Sequence, residues 1–288
     1  MNAAAITQDD FLKFQEYFYR KTGIRFEESK RYFVDKRLVE RIAATGSETF
    51  RHYFAMLRFE SKGTEMQNLI NLMTVNETYF FREEYQFDSL VNSILPEIVK
   101  RKKHEGPIRI WTIPSSSGEE AYTIAMCLLE RWPGIAEWDV EIVSSDIDTD
   151  ILAQARHGVY SARSVQHVPE AYLRKYFTPI GRNFQILASV SDAVEFTRVN
   201  LQDAEDVRPY RNFDVIFCRN LLIYFDDQSR KQAAETFYDA LRPGGFMLLG
   251  HSESMSRMSG LFKVRKFPDA IVYQRPGGGW DEAHSDRG

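Results

Sequence analysis

The chain has 288 residues, 43% of them hydrophobic, and a formal net charge of −4, enough for one large domain with an attachment or for two domains. The acidic balance argues against general nucleic-acid binding, which needs a basic surface to neutralise phosphates. Cys127 and Cys218 lie far apart with no C-x-x-C pair, against zinc and disulfides; no apolar run approaches the roughly 20 residues of a membrane span, and MNAAAITQDD lacks the pattern of a secretory leader.

Up to about Asn76 the apolar residues recur at helical spacing, as Phe11, Phe14, Tyr17 and Phe18, then Val34, Leu38 and Ile42, then Phe50, Phe54 and Leu57, then Met66, Leu69, Ile70 and Met73. Thr7, Ser47 and Thr64 are the expected caps, and an all-α N-terminal domain over residues 1–83 is expected. Between Phe18 and Arg41, eight Lys or Arg stand against four acids, a local excess that suits an acidic partner. Arg37 and Arg41 are four apart and share a helix face, with Lys30 nearly in line; by spacing alone a solvated face is the commoner reading. A linker helix over 84–104 follows, ending in Lys100-Arg101-Lys102-Lys103. Basic residues in a last turn complement the helix dipole, so this run reads as a solvated terminus.

From Ile108 onward strands and helices alternate. Strands are expected at 108–112, 140–145, 213–218 and 246–250, with helices at 119–131, 149–157 and 227–241, which is the pattern of a parallel sheet with helical crossovers. Val264 to Gln274 adds a strand pair broken at Pro268-Asp269, and hence an antiparallel edge. The fold class is α/β, a Rossmann-like domain over 105–276. Alternation through Phe184, Ile186, Ala188, Val190, Val194 and Phe196 predicts short antiparallel strands, a β-insert at about 178–198. Residues 277–288 read as a disordered tail.

The block Trp111 to Glu120, WTIPSSSGEE, runs from a strand through a small-residue turn into a helix, and the free N–H groups at such a turn make a nucleotide-type cradle. Asp146 falls at the end of the second strand, where a carboxylate accepts ribose hydroxyls or caps the next helix, although Asp148 is better placed for the cap. Glu119 and Glu120 open a helix and read locally as dipole complements. A nicotinamide enzyme would need a full G-x-G-x-x-G, which this turn lacks.

Three blocks, Asn76-Glu77-Thr78-Tyr79-Phe80-Phe81-Arg82-Glu83, WTIPSSSGEE and Cys218-Arg219-Asn220-Leu221-Leu222-Ile223-Tyr224-Phe225-Asp226, resemble in order and spacing the CheR family, the receptor glutamate methyltransferases of bacterial chemotaxis. The resemblance runs from about Phe11 to Tyr273. It implies S-adenosyl-L-methionine as cofactor, S-adenosyl-L-homocysteine as product, and methyl esterification of chemoreceptor glutamates. It further implies cofactor binding by Asn76, Thr78, Arg82, Glu120, Asp146, Asn200, Leu201, Asn220 and Leu221. Arg82 and Tyr224 are the implied catalytic pair, and Arg37 and Arg41 the implied docking surface for the receptor's cytoplasmic helical region. Where many members have Gly-Cys-Ser-Ser-Gly this chain has Pro114-Ser115-Ser116-Ser117-Gly118, so its turn must be built differently. That departure keeps a second reading open, a non-catalytic S-adenosylmethionine sensor or adaptor. Tethering members resemble one another in a glycine-containing extension of the insert loop. TPIGRNFQILASVSDAVE has only Gly181, so no C-terminal pentapeptide tether is expected. A cytoplasmic monomer is expected, with no metal, no nucleic acid and no membrane insertion.

Overall fold

The computed structural model describes residues 6–255 and 258–277; the tail expected to be disordered lies, from residue 278 on, outside the described residues. Four helices open the chain: α1 (Gln8–Thr22), α2 (Arg31–Ala44), α3 (Phe50–Phe59) and α4 (Thr64–Met73). Thr7 and Asp10 form a reciprocal capping box at the start of α1. The other two expected caps fall one or two residues off: Thr49, not Ser47, caps α3, and Gly63 precedes α4 with Thr64 as its first residue. Phe11, Phe14, Phe18, Val34, Leu38, Tyr53, Leu57 and Leu69 pack into this domain's own core.

The linker is one helix with a π-helical turn, running as α5 (Tyr85–Ser89), Leu90–Ile94 and α6 (Leu95–Lys102). Its basic end is a solvated terminus only in part, with Lys100 and Lys103 exposed. Lys102 is 5% exposed, and its ammonium lies 3.0 Å from an Oδ of Asp214, itself wholly buried in the strand Phe213–Cys218. Arg101 donates to the carbonyl of Gly244. The dipole argument accounted for the charges and missed that the last turn lies against the sheet, where a cation needs a partner.

Seven strands form the central sheet in the order β6 (Val194–Arg198), β2 (Val140–Asp146), β1 (Ile108–Thr112), β7 (Phe213–Cys218), β8 (Leu241–Leu249), β10 (Ile271–Gln274), β9 (Lys263–Lys266). The first five run parallel, and β10 is antiparallel to both β8 and β9. In β7 every residue is buried, because the sheet is covered on both faces. Val215 and Phe217 meet the linker helix and α7 (Glu119–Arg131) on one side, while Phe213 and Ile216 share the other apolar layer with Phe237 of α12 (Asp227–Ala240).

The insert departs from expectation. It is a three-stranded antiparallel sheet, β3 (Val159–Ser161), β5 (Asn183–Ile186) and β4 (Phe177–Ile180), with α9 (Glu170–Tyr176) between β3 and β4. Ala188–Ser191 is a helical turn, α10, and Val194 and Phe196 belong to the edge of the central sheet, paired with Ile142 and Ser144. Alternation is the same in an insert strand and a one-sided edge strand, so periodicity could not separate them. The remaining helices are α8 (Thr149–His157) and the short α11 (Ala204–Val207). No helix among the described residues is long and apolar enough to cross a membrane.

The helical domain closes over the carboxyl ends of the strands. The Gln67 amide donates to the Ile147 carbonyl at 2.8 Å, Asn71 Nδ2 to Thr149 Oγ1 at 2.8 Å, and Ile24 makes an isolated bridge with Phe225.

The Lys102–Asp214 pair generates a test of this packing. Lys102→Met should lower unfolding free energy by about 3–5 kcal/mol, because it strands a buried carboxylate; Lys103→Met should change it by less than about 0.5 kcal/mol. Urea denaturation measures both. Equal small effects would return the whole run to solvent.

Candidate active site

A cleft opens where the ends of β1 and β7 meet the segment joining the helical domain to the linker, and Asn76, Thr78, Tyr79, Arg82, Ser115, Ser116, Glu120, Arg219, Asn220 and Tyr224 are among its lining residues. That is the position at which parallel α/β sheets bind ligands, beyond the carboxyl ends of the strands.

The turn after β1 is closed without a leading glycine. Ser115 N–H donates to the Ser145 carbonyl at 2.6 Å and Ser116 N–H to Asp146 Oδ2 at 2.8 Å. The left-handed positions fall on Ser116 (φ 48) and Gly118 (φ 91), so Pro114 is not asked for a positive φ. A Cβ on Gly118 would lie 3.1 Å from both Ala155 Cβ and Phe196 Cζ, which ties that glycine to close packing as well as to its backbone.

Asp146 is 3% exposed and accepts two backbone N–H groups, from Ser116 at 2.8 Å and from Asp148 at 3.0 Å. Burial nonetheless pushes its carboxyl up to about 6, with the backbone donors opposing the shift. The cap of α8 belongs to Asp148, whose Oδ1 accepts from Asp150 and Ile151 N–H at 2.9 and 3.0 Å. Asp148 Oδ2 accepts from Thr74 Oγ1 at 2.6 Å and Asn76 Nδ2 at 2.9 Å, which fixes the start of the 76–82 segment.

Glu120 meets a residue that the sequence reading did not single out. Arg219 is 6% exposed; its Nη1 donates to Glu120 Oε2 at 2.7 Å and its Nη2 to the Arg82 carbonyl at 2.6 Å, with Glu83 Oε2 at 3.2 Å. Burial holds the Glu120 carboxyl above the usual carboxylate range against the pull of the Arg219 charge. The signal was present, since an arginine directly after an apolar strand must find buried acceptors or leave the core. A second missed residue is Glu253, whose carboxylate accepts N–H from Asn220, Leu222 and Gly250 at 2.8, 2.8 and 2.9 Å and so shapes the turn after β7. Asn220 sits there at φ 59; Leu221, partly buried beside it, packs into the apolar layer under that turn.

Arg82 donates to the Glu77 carbonyl at 3.1 Å and lies over the Tyr79 ring. Tyr224 is 40% exposed, and burial followed by the Glu77 charge raises its phenol. Thus Asn76, Thr78, Arg82, Glu120, Asn220 and Tyr224 line one cleft. Asp146, Asn200, Leu201 and Leu221 do not join that lining. The Asn200 amide donates to the Lys21 carbonyl at 2.7 Å, and Leu201 is buried in the apolar layer.

The docking expectation needs correction at Arg37 and Arg41. Arg37 Nε donates to the Leu72 carbonyl at 2.7 Å, and its guanidinium covers the Phe33 ring at 3.5 Å. Arg41 grips Glu65 through two bonds of 2.9 and 2.6 Å, and Tyr53 OH completes that cluster at 2.9 Å. Both arginines hold α2 to its own domain. The exposed cations of this region are Lys21, Arg25, Lys30 and Lys36 among others. Shared helix face does not reveal which side a neighbouring helix covers.

The cleft suits a zwitterionic nucleoside cofactor. Ser115 Oγ, Ser116 Oγ and Arg219 Nε are buried at its wall without a partner in the protein, and Glu120 supplies an acceptor. Comparison with known proteins points the same way. Residues 9–74 match "CheR methyltransferase, all-alpha domain" and residues 76–271 match "CheR methyltransferase, SAM binding domain". A "Chemotaxis protein methyltransferase 2" of Vibrio cholerae is 51% identical over 287 residues, 99% of each chain. The "Chemotaxis protein methyltransferase" of Salmonella typhimurium is 34% identical over 91% of this chain and 89% of its own, and that of Borreliella burgdorferi 34% over 87% and 89%.

Asp146 gives a linkage test. With its folded value raised to about 6 above the roughly 3.9 of an unfolded aspartate, the native state holds the extra proton in between, so stability falls as pH rises from about 4 to about 6. The difference between Asp146→Asn and the parent should therefore move in favour of asparagine by about 2–3 kcal/mol from pH 4 to pH 7. Denaturant titrations at the two pH values measure it, and a pH-independent difference would contradict the buried-charge account.

Proposed function

From the premise that the chain belongs to the CheR methyltransferase family, we propose that it is an S-adenosylmethionine-dependent protein-glutamate O-methyltransferase acting on the cytoplasmic helices of chemoreceptors. The observation that carries this is the convergence of Arg82, Tyr224, Glu120 and Asn220 on one cleft beside the Ser115–Ser116 turn.

Bound S-adenosylmethionine supplies a methyl group activated on a sulfonium. A glutamate acceptor is already ionised at neutral pH, so no strong general base is required of the protein. The residues instead orient and desolvate. Arg82 offers a guanidinium fork for the incoming carboxylate. Tyr224, its phenol kept protonated by burial and by the Glu77 charge, offers a hydroxyl donor from the opposite segment. Glu120 takes the amino group of the methionine moiety, balanced by Arg219, and Asp146 takes the ribose hydroxyls. Asn76, Thr78 and Asn220 complete the polar wall, while Asn200 and Leu201 shape the adenine side from behind it.

The receptor's acidic methylation helix meets the basic N-terminal region through the exposed cations there, such as Lys21, Lys30 and Lys36. Recognition rests on that helix alone. β4 and β5 are joined only by Gly181-Arg182, with Ile180 paired to Asn183, which leaves no extended loop for a receptor tail to run along.

Arg82→Ala should abolish methyl transfer and leave S-adenosylhomocysteine affinity within about threefold, because the lost interaction is with the acceptor. Calorimetry beside single-turnover kinetics separates the two, and parallel loss of binding would reassign Arg82 to the cofactor. For the insert, titration of a receptor-type C-terminal pentapeptide should give no saturable binding below about 1 mM, a free energy of only about −4 kcal/mol. A micromolar complex would overturn tether-free recognition.

A further inference from the structure

The 76–82 segment carries Arg82, and its middle is held from outside the helical domain. Phe80 N–H donates to the Ser164 carbonyl at 3.1 Å, and the Phe80 ring packs edge-on to Tyr160 and Phe177 at 4.7 and 5.3 Å. All three partners belong to the insert or to the loop between β3 and α9. That loop is fastened in turn to the cofactor side. Ser164 Oγ donates to Glu119 Oε1 at 2.6 Å, Ser117 Oγ to Glu119 Oε2 at 2.7 Å, and Tyr160 OH to the Ser117 carbonyl at 2.7 Å.

Glu119 is 3% exposed, and its side-chain partners are these two hydroxyls. A carboxylate serving only as a dipole complement in a first helical turn works at the surface. Burying it without a cation is costly, and burial does hold its carboxyl above the usual range. The position therefore calls for a reason that a solvated glutamate would not meet.

We propose that Glu119 and Ser164 are positioning residues for methyl transfer. Their hydrogen bond clamps the insert loop to the Ser115–Ser117 turn, so that the Ser164 carbonyl holds Phe80, and with it Arg82, at a set distance from the cofactor cradle. This rests on the reading of Arg82 as the residue that orients the acceptor. The insert thereby has a catalytic task that needs no receptor tail.

The test compares the parent protein with Ser164→Ala, Glu119→Ala, the double variant and Glu119→Gln, whose amide removes the charge and can still bridge the two hydroxyls by accepting from one and donating to the other. Ser164→Ala and Glu119→Ala should each lower kcat about tenfold, since small displacements of a positioning group are felt strongly. KM for receptor and affinity for S-adenosylhomocysteine should stay within about twofold, the double variant should be no worse than the worse single, and Glu119→Gln should retain most activity. Hydrogen exchange across 76–83 should quicken in Ser164→Ala and Glu119→Ala and not in Glu119→Gln. Unchanged kcat, additive losses, loss of cofactor affinity in step with kcat, or unaltered exchange would overturn the clamp. If the parent itself forms no methyl ester, the acceptor reading fails, and the exchange measurement still decides whether the clamp exists.

Discussion

The structure turns on a buried guanidinium. Arg219 leaves the end of β7 inside the protein, and a charge there is tolerable only if its donors are met. What meets its two Nη groups comes from two other parts of the chain: Glu120 at the start of α7, and the Arg82 carbonyl and Glu83 carboxylate on the segment descending from the helical domain, while Nε is left facing the cleft. The Phe87 ring of the linker helix lies against the same group. One electrostatic requirement thus brings the cofactor helix, the acceptor segment and the strand end to a single point, and the cleft is what remains between them.

The helical domain is held in the same manner, by polar groups that would otherwise be stranded. Asp148 caps α8 with one oxygen and takes Thr74 and Asn76 with the other, Asn71 serves Thr149, and Asn200 closes the Lys21 carbonyl at the end of α1. Of these residues, Asn76 itself lines the cleft. The segment from Thr74 to Arg82 is therefore positioned by both domains, which suits a reaction whose rate comes from alignment and not from proton transfer.

Much of this was legible beforehand. The strands at 108–112 and 213–218 and the helices at 119–131 and 149–157 follow from periodicity and composition, because a doubly covered sheet and amphipathic crossovers impose distinct patterns. The resemblance in three short blocks named residues that the structure brings to one cleft. Illegible were the partners of individual charges. Arg41 with Glu65, Lys102 with Asp214 and Arg219 with Glu120 each pair across 24 to 112 positions of sequence, so that even where burial is signalled locally, as for Arg219 after its apolar strand, the partner is not. The resemblance assigned Arg37 and Arg41 to a docking surface without showing their partners in the neighbouring helix, and alternation alone assigned Val194 to the insert. Pro114, which kept a non-catalytic reading open, lost its weight once Ser116 and Gly118 were seen to carry the turn.

The central claim is that this cleft delivers a methyl group to a receptor carboxylate. The most direct measurement incubates the protein with S-adenosylmethionine labelled in its methyl group and with chemoreceptor-containing membranes, then treats the receptor band with mild base. The account predicts label on the receptor that is released as volatile methanol, and none when the receptor is omitted. Label that resists base, or no label on receptor while S-adenosylhomocysteine still binds, would contradict it.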